Sequence, residues 1–170
     1  INVTNLADVR EKFMENWYRK GMELLRSNKV GVVILAGGMT DANLFNGTGS
    51  VGMLDVGLVS GKSPFQIFAE RVRRLQPLLA RLPPVSINSS FFANAIPIYV
   101  LCNRLNEDDV VSFWNDNNIF GLPSSDVMFF LQEELPVFDK KGRYLLAEKN
   151  EIWTWSNGNG GAIQGMRDDG

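Results

Sequence analysis

Two apolar runs constrain this chain more than anything else in it. Val30-Gly-Val-Val-Ile-Leu35 and Ile96-Pro-Ile-Tyr-Val-Leu101 are short, rich in β-branched residues and free of apolar–polar alternation. Runs of that kind read as strands covered on both faces, which is the environment of a parallel sheet. Asp126 to Leu131 supplies a third strand. The segments around them have helical spacing. From Asn5 to about Ser27, Val9, Phe13, Trp17, Gly21 and Leu24/Leu25 recur on one face and charges fill the other. Strands alternating with helices predict an α/β domain: a Rossmann-like, largely parallel sheet flanked by helices, with right-handed crossovers.

Local signals set the boundaries. Ser63, Pro64 and Gln66 spell a capping box with proline at the first helical position, and the helix is expected to end or kink at Gln76-Pro77. Asn106 reads as the cap of a third helix whose first turn carries Glu107, Asp108 and Asp109, where the helix dipole favours them. Residues 83–95 read as a long loop. Val137-Phe138, a turn over Asp139 to Gly142, and Tyr144 to Leu146 read as a hairpin. Residues 1–28 are expected to form an N-terminal helical segment and 29–170 an α/β nucleotide-binding domain, incomplete at its C-terminus. The chain opens at Ile1 and closes on RDDG with no evident closing element, as a segment of something longer would.

Composition matters mainly for what it removes. With no histidine and one cysteine, a His/Cys zinc site and a His-based triad are excluded, and a metal would need oxygen ligands, which favours Mg²⁺. A formal charge of −2 without a basic run argues against nucleic acid and membrane surfaces as partners. No apolar run approaches the roughly 20 residues of a membrane span. These features fit a cytoplasmic protein. Cys102, at the end of an apolar strand, reads as a small core residue.

Two glycine clusters then compete as a ligand site. Gly47-Thr48-Gly49-Ser50-Val51-Gly52 spells G-x-G-x-x-G, but it neither follows a strand directly nor opens a helix, as a dinucleotide fingerprint should. Gly37-Gly38 stand directly at the carboxyl end of the first strand, where open α/β sheets bind ligands. A glycine pair there admits a base or phosphate against the backbone. It is equally the composition of a tight turn. Gln132 after the third strand and Asn157-Gly-Asn-Gly-Gly161 read on their own as a solvated polar residue and a flexible turn.

Taken in order, NKVGVVILAGG, GMLDVGLVSGKSPFQIFAERVRRLQ, FGL, MFFLQ, EKN and NGNGG resemble the eukaryotic UDP-N-acetylglucosamine (UDP-N-acetylhexosamine) pyrophosphorylases of the UDP-sugar pyrophosphorylase family, from about Trp17 to Gly161. The resemblance implies a nucleotidyltransferase: UTP and an N-acetylhexosamine 1-phosphate give the UDP-sugar and pyrophosphate, with Mg²⁺. It implies that Leu35, Ala36, Gly37 and Gly38 lie along the uridine. Gln132 would read the uracil edge, Gly158 would meet uracil through its backbone, and Asn159 would reach the sugar. An amide that donates and accepts at once suits an imide edge.

One loop departs from that pattern. The family runs Gly-Thr-Arg-Leu and then Pro-Lys-Gly after LAGG, and its arginine and lysine hold the triphosphate. Met39 to Val51 contains neither basic residue. Gly47, Thr48 and Gly49 are read as a displaced phosphate loop, the catalytic residues stay unassigned, and no metal ligand is identified. The alternative is therefore a catalytically inactive fragment or relative that binds a uridine nucleotide or acts as a structural or interaction module. The choice of sugar 1-phosphate and the oligomeric state have no sequence signal.

Overall fold

The computed structural model describes Asn5, Ala7 and residues 9–37, 49–81 and 95–168. The expected loop over residues 83–95 falls almost entirely outside these. Strands β1 (Val32–Leu35), β2 (Ile98–Cys102) and β3 (Val127–Leu131) form one parallel sheet in that order, with Val32 beside Ile98 and Ile98 beside Val127. Helices α1 (Glu11–Arg26), α2 (Pro64–Ala80), α3 (Glu107–Asp116) and a short α4 (Gly161–Asp168) surround it. The α/β reading holds.

Because side chains alternate along a strand, each face has its own cover. Ile34, Ile98, Val100, Cys102 and Val127 pack with Phe65, Ala69 and Val72 of α2 and with Val110 and Trp114 of α3 in the main core. On the other face Leu101 and Phe130 meet Ala162 and Met166 of α4. Val33 and Leu35 of β1 are 41% and 50% exposed. Burial of the first strand on both faces is thus corrected: β1 is the sheet's edge among the described strands, and α4 covers β2 and β3. β2, flanked by a strand on each side, is the buried one.

The helices also depart from expectation in readable ways. α1 starts at Glu11 rather than near Asn5 and has no buried residue; of its apolar residues, Met22 and Leu25 reach the core while Phe13 and Trp17 stay about half exposed. At α2, the Ser63 hydroxyl accepts from the Gln66 N–H at 3.2 Å, but the Gln66 amide turns to Glu70 at 2.9 Å, so half of the capping box forms. α2 also runs through Pro77 to Ala80. A proline this near the C-terminus removes one backbone bond, and Leu79, 1% exposed, holds the last turn down in exchange.

Asn118, Ile119 and Phe120 have φ of 52°, 49° and 52°, a left-handed stretch ahead of Gly121. Left-handed backbone costs roughly 1–2 kcal/mol per non-glycine residue. Burial of the Phe120 ring, edge-on to Trp114 at 5.0 Å, and the Arg73 guanidinium bond to the Phe120 carbonyl at 3.1 Å offset it.

Past β3 the chain forms a small antiparallel extension. β4 (Glu134–Pro136) pairs with β7 (Thr154–Ser156), and β5 (Leu146–Glu148) with β6 (Glu151–Ile152). The expected hairpin is there: Phe138 bridges Tyr144 with ring centroids 4.7 Å apart, and the Asp139 carboxylate accepts from the Lys141 and Arg143 backbone. Trp153 and Trp155 stand edge to face at 6.2 Å, both roughly half exposed. No helix among the described residues is long and apolar enough to cross a membrane.

Candidate functional site

The three parallel strands deliver their following residues to one edge. β1 leads to Ala36 and Gly37, β2 to Asn103, and β3 to Gln132. The ladder extends one residue past each end: the Ala36 N–H donates to the Leu101 carbonyl at 2.8 Å and the Gln132 N–H to the Cys102 carbonyl at 2.7 Å. That extension fixes the Gln132 backbone and holds its side chain, 7% exposed, over the sheet edge.

The Gln132 amide faces both glycine segments. Its Nε2 donates to the Gly158 carbonyl at 2.7 Å. A Cβ added at Gly37 would stand 2.8 Å from Oε1 and 3.4 Å from the Cys102 carbonyl carbon. So what approaches Gly37 within this chain is the Gln132 side chain, and a Cβ there would push the Gln132 amide aside. Gly37, Gln132 and Gly158 come together, with Ala36 buried beside them; Leu35 is half exposed at the same strand end. Asn159 is exposed, and its carbonyl accepts from Ala162 N at the start of α4. Gly38, Gly47 and Thr48 lie outside the described residues.

Within the described part of the second cluster, Gly49 and Gly52 each have a local cause. Gly49 is buried with φ of +85°, a turn conformation, and Ser50 caps a three-residue 3₁₀ turn, Val51–Met53, by accepting from the Gly52 N–H at 3.3 Å. A Cβ at Gly52 would run into the Phe65 ring. Gly52 therefore serves core packing, and no helix long enough to hold a pyrophosphate begins there. A cleft of roughly 250 Å³ between this turn and β1 is lined by Leu35, Val51, Phe65 and Phe68, is mainly apolar, and does not include Gln132 or Gly158.

Asn106 corrects another expectation. It stands at the N-cap position of α3 but makes no side-chain cap. Its Nδ2 donates to the Ala36 carbonyl at 2.7 Å and to the Gly49 carbonyl at 3.2 Å, and its Oδ1 accepts from the Asn103 N–H at 2.9 Å. Asn103 closes the turn ahead of α3: its Oδ1 accepts from Leu105 N and Asn106 N, both at 2.9 Å, while its Nδ2 reaches the Gly37 carbonyl at 2.8 Å. Sequence reasoning found neither role; N-R-L-N after a buried strand was the only signal.

Arg104 and Glu133, both exposed, directly follow Asn103 and Gln132 at this edge. Lys29 precedes β1 and so belongs to the opposite, amino edge of the sheet. Lys62 is paired with Glu70, and that contact, with the Gln66 amide, holds the Glu70 carboxyl below its usual range. Cys102 is fully buried, and burial, helped by the Glu107 charge, pushes its thiol up to about 12. Among the described residues no three acidic or cysteine side chains gather closely enough to hold a metal ion.

No protein-family model matches the chain. A Dictyostelium discoideum protein named probable UDP-N-acetylglucosamine pyrophosphorylase is 33% identical over 172 residues, 99% of this chain and 34% of that protein. A Saccharomyces cerevisiae UDP-N-acetylglucosamine pyrophosphorylase is 28% identical over 90% of this chain and 30% of its own length. Among solved structures, a uridine diphosphate N-acetylglucosamine pyrophosphorylase from Trypanosoma brucei superposes with a TM-score of 0.75 at 26% identity, over 91% of this chain and 29% of that one. The chain spans about a third of the length of the curated relatives it matches.

Proposed function

We propose a function from the premise that this chain belongs with the UDP-N-acetylglucosamine pyrophosphorylases, a nucleotidyltransferase family to which it is homologous over almost its whole length. In this reading it is the uridine-nucleotide-binding part of such an enzyme, located in the cytoplasm. The reaction of the whole protein joins UTP and an N-acetylhexosamine 1-phosphate into the UDP-sugar and releases pyrophosphate.

The observation that carries the reading is the convergence of Gln132, Gly37 and Gly158 at the carboxyl edge of the sheet. With one Nε2 hydrogen on the Gly158 carbonyl, Gln132 keeps a second N–H and the Oε1 acceptor. That pair complements the N3–H and a neighbouring carbonyl of uracil. Adenine offers no N–H flanked by carbonyls, so it is discriminated against. Asn159, exposed beside Gly158, is placed in this reading toward the sugar. Mg²⁺ would arrive in this reading on the nucleotide's phosphates.

A second reading, that this chain binds uridine nucleotide without turning it over, is favoured by one specific observation. Met39 to Val51 has no basic residue, and Lys62, the next one along, is neutralised by Glu70. Preorganised donors and cations are where phosphoryl-type transfers derive most of their rate.

Calorimetric titration with UTP and ATP tests the binding part. UTP is expected to bind more tightly. Gln132→Ala is expected to weaken UTP by about 1–3 kcal/mol, the usual cost of stranding a buried polar partner, and to leave ATP unchanged. Equal affinities for the two nucleotides would sink the reading.

A further inference from the structure

We propose that Asn103 and Asn106 are positioning residues for the uridine nucleotide: a buried amide pair that sets how the first glycine cluster stands relative to Gly49. The inference rests on the uridine-binding reading above. It starts from burial. Asn106 is 2% exposed and Asn103 8%, in a part of the fold where apolar side chains would fill the same volume. A buried polar network is costly unless every member is satisfied, and once satisfied it selects one arrangement. Here the Oδ1 and Nδ2 of both amides are engaged.

Their partners are what matters. The carbonyls of Ala36, Gly37 and Gly49 are drawn onto two side chains that lie 57 to 70 positions further along the chain. The β1–β2 ladder stops at the Ala36 N–H, so the carbonyls beyond it are held by these amides. A peptide group is planar. Fixing the Ala36 and Gly49 carbonyls therefore fixes where the Gly37 and Ser50 N–H groups point. Asn103 holds the first cluster alone, through Gly37. Asn106 holds both, through Ala36 and Gly49, and so sets their spacing.

This division of labour predicts a split that general loss of stability does not. In the uridine-binding reading, uridine draws on the first cluster, whereas UTP also extends its phosphates past it toward the Gly49 backbone. The affinities of uridine and UTP are measured by calorimetry on the chain as it stands and on its variants, with thermal unfolding run alongside to establish folding. Asn103→Ala is expected to weaken both ligands by the same factor, about five- to tenfold, as for one lost buried hydrogen bond. Asn106→Ala is expected to weaken UTP about threefold or more beyond its effect on uridine. A merely structural role would lower the melting temperature and the fraction of competent sites without moving the UTP-to-uridine ratio. Should Asn106→Ala not fold, Asn106→Ser carries the same comparison, because serine can cap α3 directly. If the unsubstituted chain binds and the ratio is the same in every variant, the positioning role is overturned and the uridine reading stands. If the unsubstituted chain binds neither ligand, both fall together.

Discussion

Gln132 and Cys102 are adjacent in space at the end of the sheet, joined by the backbone bond from Gln132 N to the Cys102 carbonyl, yet they carry opposite chemistries. Gln132 keeps its polar atoms at the sheet edge. Cys102 points into the core between the sheet and the helices, where burial destabilises a thiolate. With its thiol pushed up to about 12, Cys102 is protonated at neutral pH and a poor nucleophile. The native chain is therefore expected to resist iodoacetamide at pH 8 and to react at one site per chain once unfolded in guanidinium, counted by intact mass. Rapid native alkylation would place the thiol at the surface. The same neighbourhood explains Gly37. Its lack of a side chain could be suspected from its place after a strand, but the approaching group, an amide 95 residues later, is a fact of three dimensions.

At the scale of elements, α2 shows local and distant forces acting together. Its start is local: Ser63 caps, Pro64 occupies the first turn, and both were legible. Its end is not, because Leu79 is held in the core beyond a proline that propensity alone would make a stop. α2 also carries the ion pair between Glu70 and Lys62. The Glu70 carboxyl titrates lower in the folded chain than its ordinary 4.5. The folded state then binds fewer protons, so this group's stabilising contribution is fully present above about that value and is lost as pH falls through the lowered folded value. Lys62→Met removes the main cause. In acid unfolding followed by tryptophan fluorescence, the variant is expected to lose less stability between neutral pH and the acid transition than the unsubstituted chain. A steeper acid loss in the variant would contradict the pairing.

For the whole molecule, the proposed binding edge is joined to a stretch, Met39 to Val51, that supplies no lysine or arginine to clamp a triphosphate. One missing preorganised donor typically costs about 10²–10³ in rate, and a missing arginine-type clamp about 10³–10⁵. In a steady-state assay with UTP, Mg²⁺ and N-acetylglucosamine 1-phosphate, the chain is expected to turn over far below the ordinary enzymatic range of about 1–10³ per second. Turnover within that range would show that the remodelled stretch from Met39 to Val51 supports the reaction after all.

What the sequence determined by itself was carried by short-range patterns. Unalternating β-branched runs meant parallel strands, helical spacing meant flanking helices, and Ser63-Pro64 and Asp139 to Gly142 marked a helix start and a turn. These are consequences of backbone sterics and of side-chain period, which neighbours in the chain already specify. Tertiary structure decided the rest, because it depends on which distant group arrives. β1 is an edge with one face half open, although its residues read as fully buried. Ile119 and Phe120 adopt left-handed backbone that no local preference would choose, since the aromatic core rewards it. Asn106 gave up the cap that its position suggested for the carbonyls of Ala36 and Gly49, and Gly52 faces the Phe65 ring where a nucleotide motif had been spelled. In each case the local signal was correct about the residue's capacity, and the partner that used it was supplied by tertiary packing rather than by immediate neighbours in the chain.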